Sequence, residues 1–181
     1  MKELYHRIEE PMIDVLAYME LQGVRIDSAA LNNYAIELRQ LLASLEAEVR
    51  EMTGEAERNI NSSRQLGEVL FGKMRITEKP KMTKTKQFST DEEYLQTFAH
   101  DHPIVSKILE YRGVKKLLST YVEALPELIN PETERIHTSY NQTITATGRL
   151  SSTNPNLQNI PVREEQGRKV RMAFVPTHAD G

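Results

Sequence analysis

A chain of 181 residues with no cysteine and a formal net charge of −3 is long enough to bury one large core or two small ones, and it excludes disulfide scaffolds and thiolate zinc sites. No window approaches the roughly 18 apolar residues of a membrane span, and the start, MKELYHRIEE, lacks the apolar run of a secretory signal, so a reducing, cytoplasmic setting is expected. The small net charge hides an asymmetry: residues 1–60 hold 12 acids and 6 bases, residues 61–125 hold 11 bases and 8 acids, and residues 126–181 hold 6 of each, which argues against a general nucleic-acid glue while leaving room for local basic patches.

The first half reads as helical. In residues 4–22, Ile8, Met12, Val15, Leu16 and Met19 fall at helical spacing, Pro11 sits in a first turn or makes a kink, and Gly23 ends the helix. Asp27 is a good N-cap for a helix from Ser28 to about Met52, with Ile26 and Leu31 placed as a hydrophobic staple. The stripe of that helix is Leu31, Tyr34, Leu38, Leu41, Leu42, Leu45, Val49 and Met52, and Gly54 is its stop. Ser62 with Gln65 has capping-box spacing and opens a short helix with Leu66, Val69 and Leu70, ended by Gly72.

Residues 73–89 show no periodicity and are rich in Lys and Thr, which predicts a mobile loop. Thr90 with Glu93 is a second capping box, opening a helix to about His100. Pro103 opens a longer helix over 103–125, with Ile104, Ile108, Tyr111, Leu117, Tyr121, Val122 and Leu125 as its apolar face. Near 127–136 the character changes. A turn at Asn130–Thr133 precedes β-branched and aromatic residues in polar alternation, and VRMAFVP is a second short strand candidate. The expected fold class is α+β, mainly α: a helical lobe first, a few β-strands after.

The stretch TATGRLSSTNPNLQNIPVR, residues 145–163, is too polar for a core strand and too broken for a helix. Arg149 offers a planar fork of donors, and Asn156, Gln158 and Asn159 offer donors and acceptors together. A DNA minor groove presents N3 and O2 acceptors on every base pair, so such a loop would read duplex geometry more than sequence. The competing reading is that these amides satisfy the coil's own backbone. Lys81, Lys84 and Lys86 in the Lys-rich loop would grip phosphates as point charges, or be solvated surface. Arg112, Lys115 and Lys116 would line a phosphate track, or be ordinary solvent-face charge. There is no HExxH, no phosphate-cradling GxxxxGK[ST] and no GxSxG. No metal site and no catalytic centre can be read from the residues alone.

TATGRLSSTNPNLQNIPVR, followed by GRKVRMAFVP, closely resembles a block of family A DNA polymerases, the bacterial DNA polymerase I type. IEEPMIDVLAYMELQGVRID, NINSSRQLGEVLF, ILEYRGVKKLLSTYVEALP and RIHTSYNQT resemble that family in the same order, so the likeness covers essentially the whole chain. Two positions depart from the pattern: Arg58 stands where an aromatic residue often precedes NINS, and Leu118 where KLKSTY is usual.

The resemblance implies a helix at 1–27 leading in from an exonuclease-like domain, a thumb subdomain at 28–126 and the start of a palm at 127–181. It implies that Arg149 reaches the minor groove at the primer-terminal pair, that Thr145, Asn156 and Gln158 contact template or primer nearby, and that Arg163 lies close to the primer end or incoming nucleotide. Lys116 and Arg112 would contact the duplex backbone. Asn59, Asn61 and Ser62 would approach the duplex at the thumb tip, beside Lys81, Lys84 and Lys86. In the family, a DYSQIELR-like motif and a later carboxylate hold two Mg²⁺ ions. Neither occurs in these residues, so the expectation is a monomeric, inactive piece of a DNA-directed DNA polymerase of replication and repair, acting at the bacterial nucleoid. Its partners would be primer–template duplex and, in the parent enzyme, dNTP. The alternative is a non-catalytic helical interaction module.

Overall fold

In the computed structural model, which describes residues 2–54, 59–162 and 165–176, helices α1 (Lys2–Leu4) and α2 (Glu10–Gln22) are joined by a π-helical turn at Tyr5–Glu9. Pro11 lies in the first turn of α2, directly after the π-helical turn, in which the Glu10 N–H reaches back to the Tyr5 carbonyl. Gly23 ends α2 as expected, at φ 62° and ψ −176°. The stripe of this helix is less buried than its spacing suggests. Leu16 is buried, but Ile8, Val15 and Met19 are 50%, 53% and 44% exposed, because no described residue covers that face.

Strand β1 (Arg25–Ile26) leads into α3 (Ser28–Thr53). The Asp27 carboxylate caps α3 by accepting from the Ala30 N–H at 2.9 Å, and the staple residues Ile26 and Leu31 are both buried. Leu31, Tyr34, Leu38, Leu45 and Val49 are buried along the expected stripe, whereas Met52 at its end is 43% exposed. Gly54 follows at φ 66°. The chain divides into two compact units, Glu37–Lys116 on the one hand and Met1–Ile36 with Leu117–Gly181 on the other, and the first division falls within α3.

In the unit Glu37–Lys116, α4 (Ser63–Gly67) runs on through a π-helical turn at Glu68–Lys73. Gly72 is therefore not the stop that the sequence suggested. The Met74 N–H reaches the Val69 carbonyl five residues back at 2.9 Å, and the widened turn carries the helix past the glycine. The Ser62 box is half formed. Ser62 Oγ accepts from the Gln65 N–H at 3.4 Å, but Gln65 Oε1 accepts from the Asn59 N–H rather than from Ser62.

Lys73 still belongs to the π-helical turn and residues 74–89 form a loop, with an apolar anchor that composition did not reveal. Phe71 packs against Phe88, Tyr94 and Phe98 with ring centroids 5.7, 5.6 and 6.1 Å away, an arrangement favourable beyond its area. Between the ends of the loop, Met82 bridges Phe88, and Lys81 donates its N–H to the Tyr94 hydroxyl at 2.9 Å.

Helix α5 (Glu92–Gln96) starts after Asp91, which stands at the N-cap position without a side-chain capping bond, one residue later than expected and shorter than the predicted run to His100. Thr90 is instead buried with its oxygens turned to Arg112. Helix α6 (Pro103–Leu117) buries Ile104, Ile108, Tyr111 and Leu117 as expected. Lys107 ties it to α3 through Glu48 at 2.8 Å, and that hydrogen bond holds the Glu48 carboxyl below the usual carboxylate range.

The other unit continues from α6 through a π-helical turn at Leu118–Val122 into α7 (Ala124–Glu127), with Tyr121, Val122 and Leu125 buried. The turn at Asn130 forms: its Oδ1 accepts from the Glu132 N–H at 2.8 Å, and Asn130 bridges Arg135. Two short antiparallel sheets follow. Strand β2 (Ser139–Asn141) pairs with β3 (Ser151–Thr153) in the register Ser139 to Thr153, Tyr140 to Ser152 and Asn141 to Ser151. Strand β1 pairs with β4 (Phe174–Val175).

Two expectations fail here. Most of VRMAFVP is not strand, because α8 (Glu165–Met172) takes in Val170–Met172. Gly167, Val170 and Ala173 are all buried at three-residue spacing, a helical stripe in a segment that reads as β-rich. Conversely, Ser151–Thr153 is a strand despite its polarity. Thr138 Oγ1 shares its single proton between the carbonyls of Thr153 at 3.0 Å and Pro155 at 2.7 Å, so buried polar groups hold the ladder in place of apolar ones. The architecture is α+β and mainly helical. No described helix is long and apolar enough to cross a membrane.

Candidate nucleic-acid interface

The polar loop between β2 and β3 carries Arg149 at its far end. Arg149 is exposed, and its side chain makes no hydrogen bond to a described residue. The Thr145 hydroxyl donates to the Arg149 carbonyl, so Thr145 closes the loop that presents the guanidinium. Gly148, just before it, turns the chain at φ 73°.

The amides beyond β3 divide between two uses. Asn156 Oδ1 accepts from the N–H groups of Gln158 and Asn159, both at 3.2 Å, and lies 3.5 Å from Ser152 Oγ. For that oxygen the coil satisfies its own backbone, the second of the two sequence readings. Asn156 and Gln158 are nevertheless exposed, while Ser152 is fully buried beneath them and accepts from the Leu157 N–H at 3.1 Å. Tyr121 anchors the segment by donating to the Asn159 carbonyl at 2.8 Å, and burial pushes its phenol up. Arg163 lies outside the described residues, as does Arg58.

In the unit Glu37–Lys116, Asn59, Asn61 and Ser62 converge on one tight turn ahead of α4. Asn59 Oδ1 accepts from the Asn61 N–H at 2.9 Å, and the Asn59 carbonyl accepts from the Ser62 N–H at 3.0 Å. Asn61 Oδ1 then accepts from the Tyr111 hydroxyl at 3.1 Å and from Lys115 Nζ at 2.5 Å. Tyr111 and Lys115 are one helical turn apart on α6. By sequence Tyr111 belongs to the apolar face of α6, and nothing in its spacing connects it or Lys115 with Asn61, some 50 residues away. Lys116, next in the chain, is exposed.

Arg112 is half-buried, and burial lowers its pKa while leaving it charged at neutral pH. Its Nη1 donates to the Thr90 carbonyl at 2.5 Å and its Nη2 to Thr90 Oγ1 at 3.2 Å. The guanidinium thus clasps the start of α5 to α6 with two of its five donors. Arg112→Lys keeps the charge but not the fork. We expect it to cost about 1–2 kcal/mol by leaving a Thr90 acceptor poorly paired. Unchanged denaturant unfolding of Arg112→Lys would show that the clasp contributes nothing.

Lys81, Lys84 and Lys86 sit on the turn of the Lys-rich loop, all exposed. The turn is tight: the Thr83 N–H donates to the Gln87 carbonyl at 2.7 Å, and the Lys86 N–H to the Thr83 carbonyl at 3.0 Å. Lys81 Nζ lies 5.9 Å from the Tyr94 ring centroid, within cation–π reach. Lys84 and Lys86 project from the tip, beside a groove lined by Arg64, Glu68, Gln87 and Phe88.

No three His, Asp or Glu among the described residues come together as a metal-ligand set. What these two surfaces share is exposed donors on polar loops held in part by their own hydrogen bonds, a chemistry suited to the acceptors of a nucleic-acid groove and backbone.

The comparisons with known proteins agree in direction. A family model described as DNA polymerase family A matches residues 28–180. The chain is 48% identical over 177 residues to DNA polymerase I of Synechocystis sp., covering 97% of this chain and 18% of that protein. It is 49% identical over 172 residues to the thermostable DNA polymerase I of Thermus aquaticus, covering 95% of this chain and 21% of that protein. Among solved structures, the POL domain of Pol1 from M. smegmatis, in complex with DNA primer–template and dNTP, matches with a TM-score of 0.80 at 40% identity, covering 93% of this chain and 29% of that one. A match over that span, with relatives nearly half identical along almost its entire length, shows that the chain belongs to DNA polymerase family A.

Proposed function

We propose that this chain is the duplex-binding region of a DNA-directed DNA polymerase, with a thumb at 28–126, the first palm strands at 127–181 and a leading helix at 1–27. The observation that carries the reading is Arg149: an exposed guanidinium on a loop closed by its own hydrogen bonds, in a chain whose structural relative was solved with primer–template. Arg149 reads the minor groove at the primer-terminal pair, with Asn156 and Gln158 beside it and Thr145 shaping the loop. Arg163 follows in the same segment, near the primer end. Asn59, Asn61, Ser62 and Lys116, with the remaining donors of Arg112, meet the sugar–phosphate backbone, and Lys81, Lys84 and Lys86 add phosphate contacts.

The parent enzyme would carry out template-directed nucleotidyl transfer from dNTP in DNA replication and repair, using Mg²⁺. The described residues supply no set of ligands for that metal, and their part is to bind and orient the duplex. By this reading the chain alone extends no primer.

The binding should be independent of sequence and strongly dependent on salt. With about four phosphates neutralised, affinity for a 20-base-pair duplex falls about a hundredfold between 50 and 200 mM salt. Fluorescence anisotropy over a salt series measures the slope. A flat response, or no binding at low salt, would overturn the reading and leave a helical interaction module.

A further inference from the structure

Strand β2 and the residues on either side of it lie along α2 and are fastened at one end to α2 and at the other to Glu9, the last residue of the π-helical turn that leads into it. At one end, His137 Nδ1 meets the Glu20 carbonyl at 2.7 Å, which places the ring proton on Nδ1, since a carbonyl only accepts. Beside it, the Glu20 carboxylate accepts the Tyr140 N–H at 2.6 Å. At the other end, Gln142 Nε2 donates to both the carbonyl and the carboxylate of Glu9, at 3.1 and 2.9 Å.

The two spacings match. Glu9 and Glu20 are separated by about 16 Å of helix at ~1.5 Å per residue. His137 and Gln142, with β2 (Ser139–Asn141) between them, would span about 16 Å if the whole run were extended at ~3.3 Å per residue. A one-residue slip of the strand would move Gln142 by about 3.3 Å and turn it to the opposite face. The Tyr140 N–H taken by Glu20 belongs to a strand residue that pairs with Ser152 of β3. Past Gln142 the chain enters the loop that presents Arg149, with no further bond to α2 among those described.

We propose that α2 is a splint that fixes the register and direction of the β2–β3 hairpin, and that Glu20 and Gln142 are positioning residues for Arg149. This rests on the function proposed for Arg149. Neither side chain touches the duplex in this assignment. Each acts by setting where the guanidinium arrives.

The absence of cysteine permits a direct test. Tyr18 and Ile144 are 64% and 66% exposed, one on α2 and one in the Arg149 loop. Spin labels at Tyr18→Cys and Ile144→Cys report the distance between helix and loop by pulsed electron paramagnetic resonance on the 181-residue chain. A single narrow distribution is expected in the labelled parent, a broadened or shifted one in Glu20→Ala with Gln142→Ala, and recovery in Glu20→Gln, which keeps an acceptor oxygen. Circular dichroism and melting establish that each variant is folded. An unchanged distribution in the folded double variant would overturn the splint.

In the complete gene product, the same double variant should lower kcat for primer extension by on the order of ten- to a hundredfold through misplacement of Arg149. It should lower it hardly at all when Arg149 is already alanine. Equal losses in both backgrounds would mean a general structural role and would also overturn the proposal. If Arg149→Ala by itself leaves extension intact, the function assigned to Arg149 fails instead, and the distance measurement alone decides for or against the splint.

Discussion

Arg149→Ala, in the complete gene product, is expected to lower kcat for primer extension by about a hundredfold while changing the dissociation constant for primer–template less than threefold. The asymmetry follows from where the residue stands. In the proposed binding mode, phosphate contacts spread over Lys81, Lys84, Lys86 and Lys116 would supply most of the affinity, and removing one donor elsewhere would barely alter that sum. Arg149 alone offers a fork of donors on the loop closed by Thr145. In the proposed role it holds the terminal pair while the primer hydroxyl is aligned, so its energy is realised on the way to the transition state. Arg149→Lys retains the charge without the fork and should fall between the two. Because all four pairs offer minor-groove acceptors at similar positions, a mismatched terminus should already have lost part of this contact. The ratio of matched to mismatched extension should therefore shrink in the alanine variant. Equal losses in binding and rate would count against the assignment.

Much of the fold was legible because it is local. Asp27, Gly23 and Pro103 punctuate helices by mechanisms that act within a few residues, and each is where the sequence puts it. Three of the failures are cases in which a competing partner outbid a local rule. Thr90 reads as a cap for α5, yet Arg112, 22 residues on, takes both of its oxygens. Gln65 reads as the reciprocal arm of a capping box, yet it bonds Asn59. The polar run at 151–153 reads as coil, yet Thr138 and the β2 ladder make it a strand.

The candidate interface shows the same division. Its exposed donors, Arg149 foremost, are visible as residue types that no core would want. The framework behind them is not. Asn61 meets Tyr111 across 50 residues, and Gln142 meets Glu9 across 133. No periodicity encodes such pairings, so the sequence reveals what the surface offers but not what aims it.

Gly23→Ala should be the most damaging single methyl group in the hairpin's support, at about 2–6 kcal/mol. Two independent costs add. At φ 62° and ψ −176° the backbone occupies a region that is essentially open to glycine alone, worth roughly 1–3 kcal/mol for another residue. A Cβ there would also stand 2.8 Å from the Ile136 carbonyl and 2.9 Å from the His137 ring. Forced overpacking adds roughly 1–3 kcal/mol more. Relief is hard to find, because Ile136 exchanges both of its backbone hydrogen bonds with Val24, at 2.8 and 2.9 Å, and His137 is held to Glu20. Moving Ile136 gives up its pairing with Val24, and moving His137 gives up its bond to Glu20 of α2. Gly113→Ala provides the opposite sign. Gly113 lies in α6 with an ordinary helical backbone and nothing within 4 Å of a built Cβ. Alanine there should add about 0.5–1 kcal/mol from helix propensity alone. Thermal melts of the two variants should accordingly part in opposite directions, Gly23→Ala falling by on the order of 10 °C and Gly113→Ala rising by a few degrees. A Gly23→Ala protein that melts within a degree or two of the parent would mean that the turn after α2 relaxes freely, and that the Val24–Ile136 pairing does not hold it.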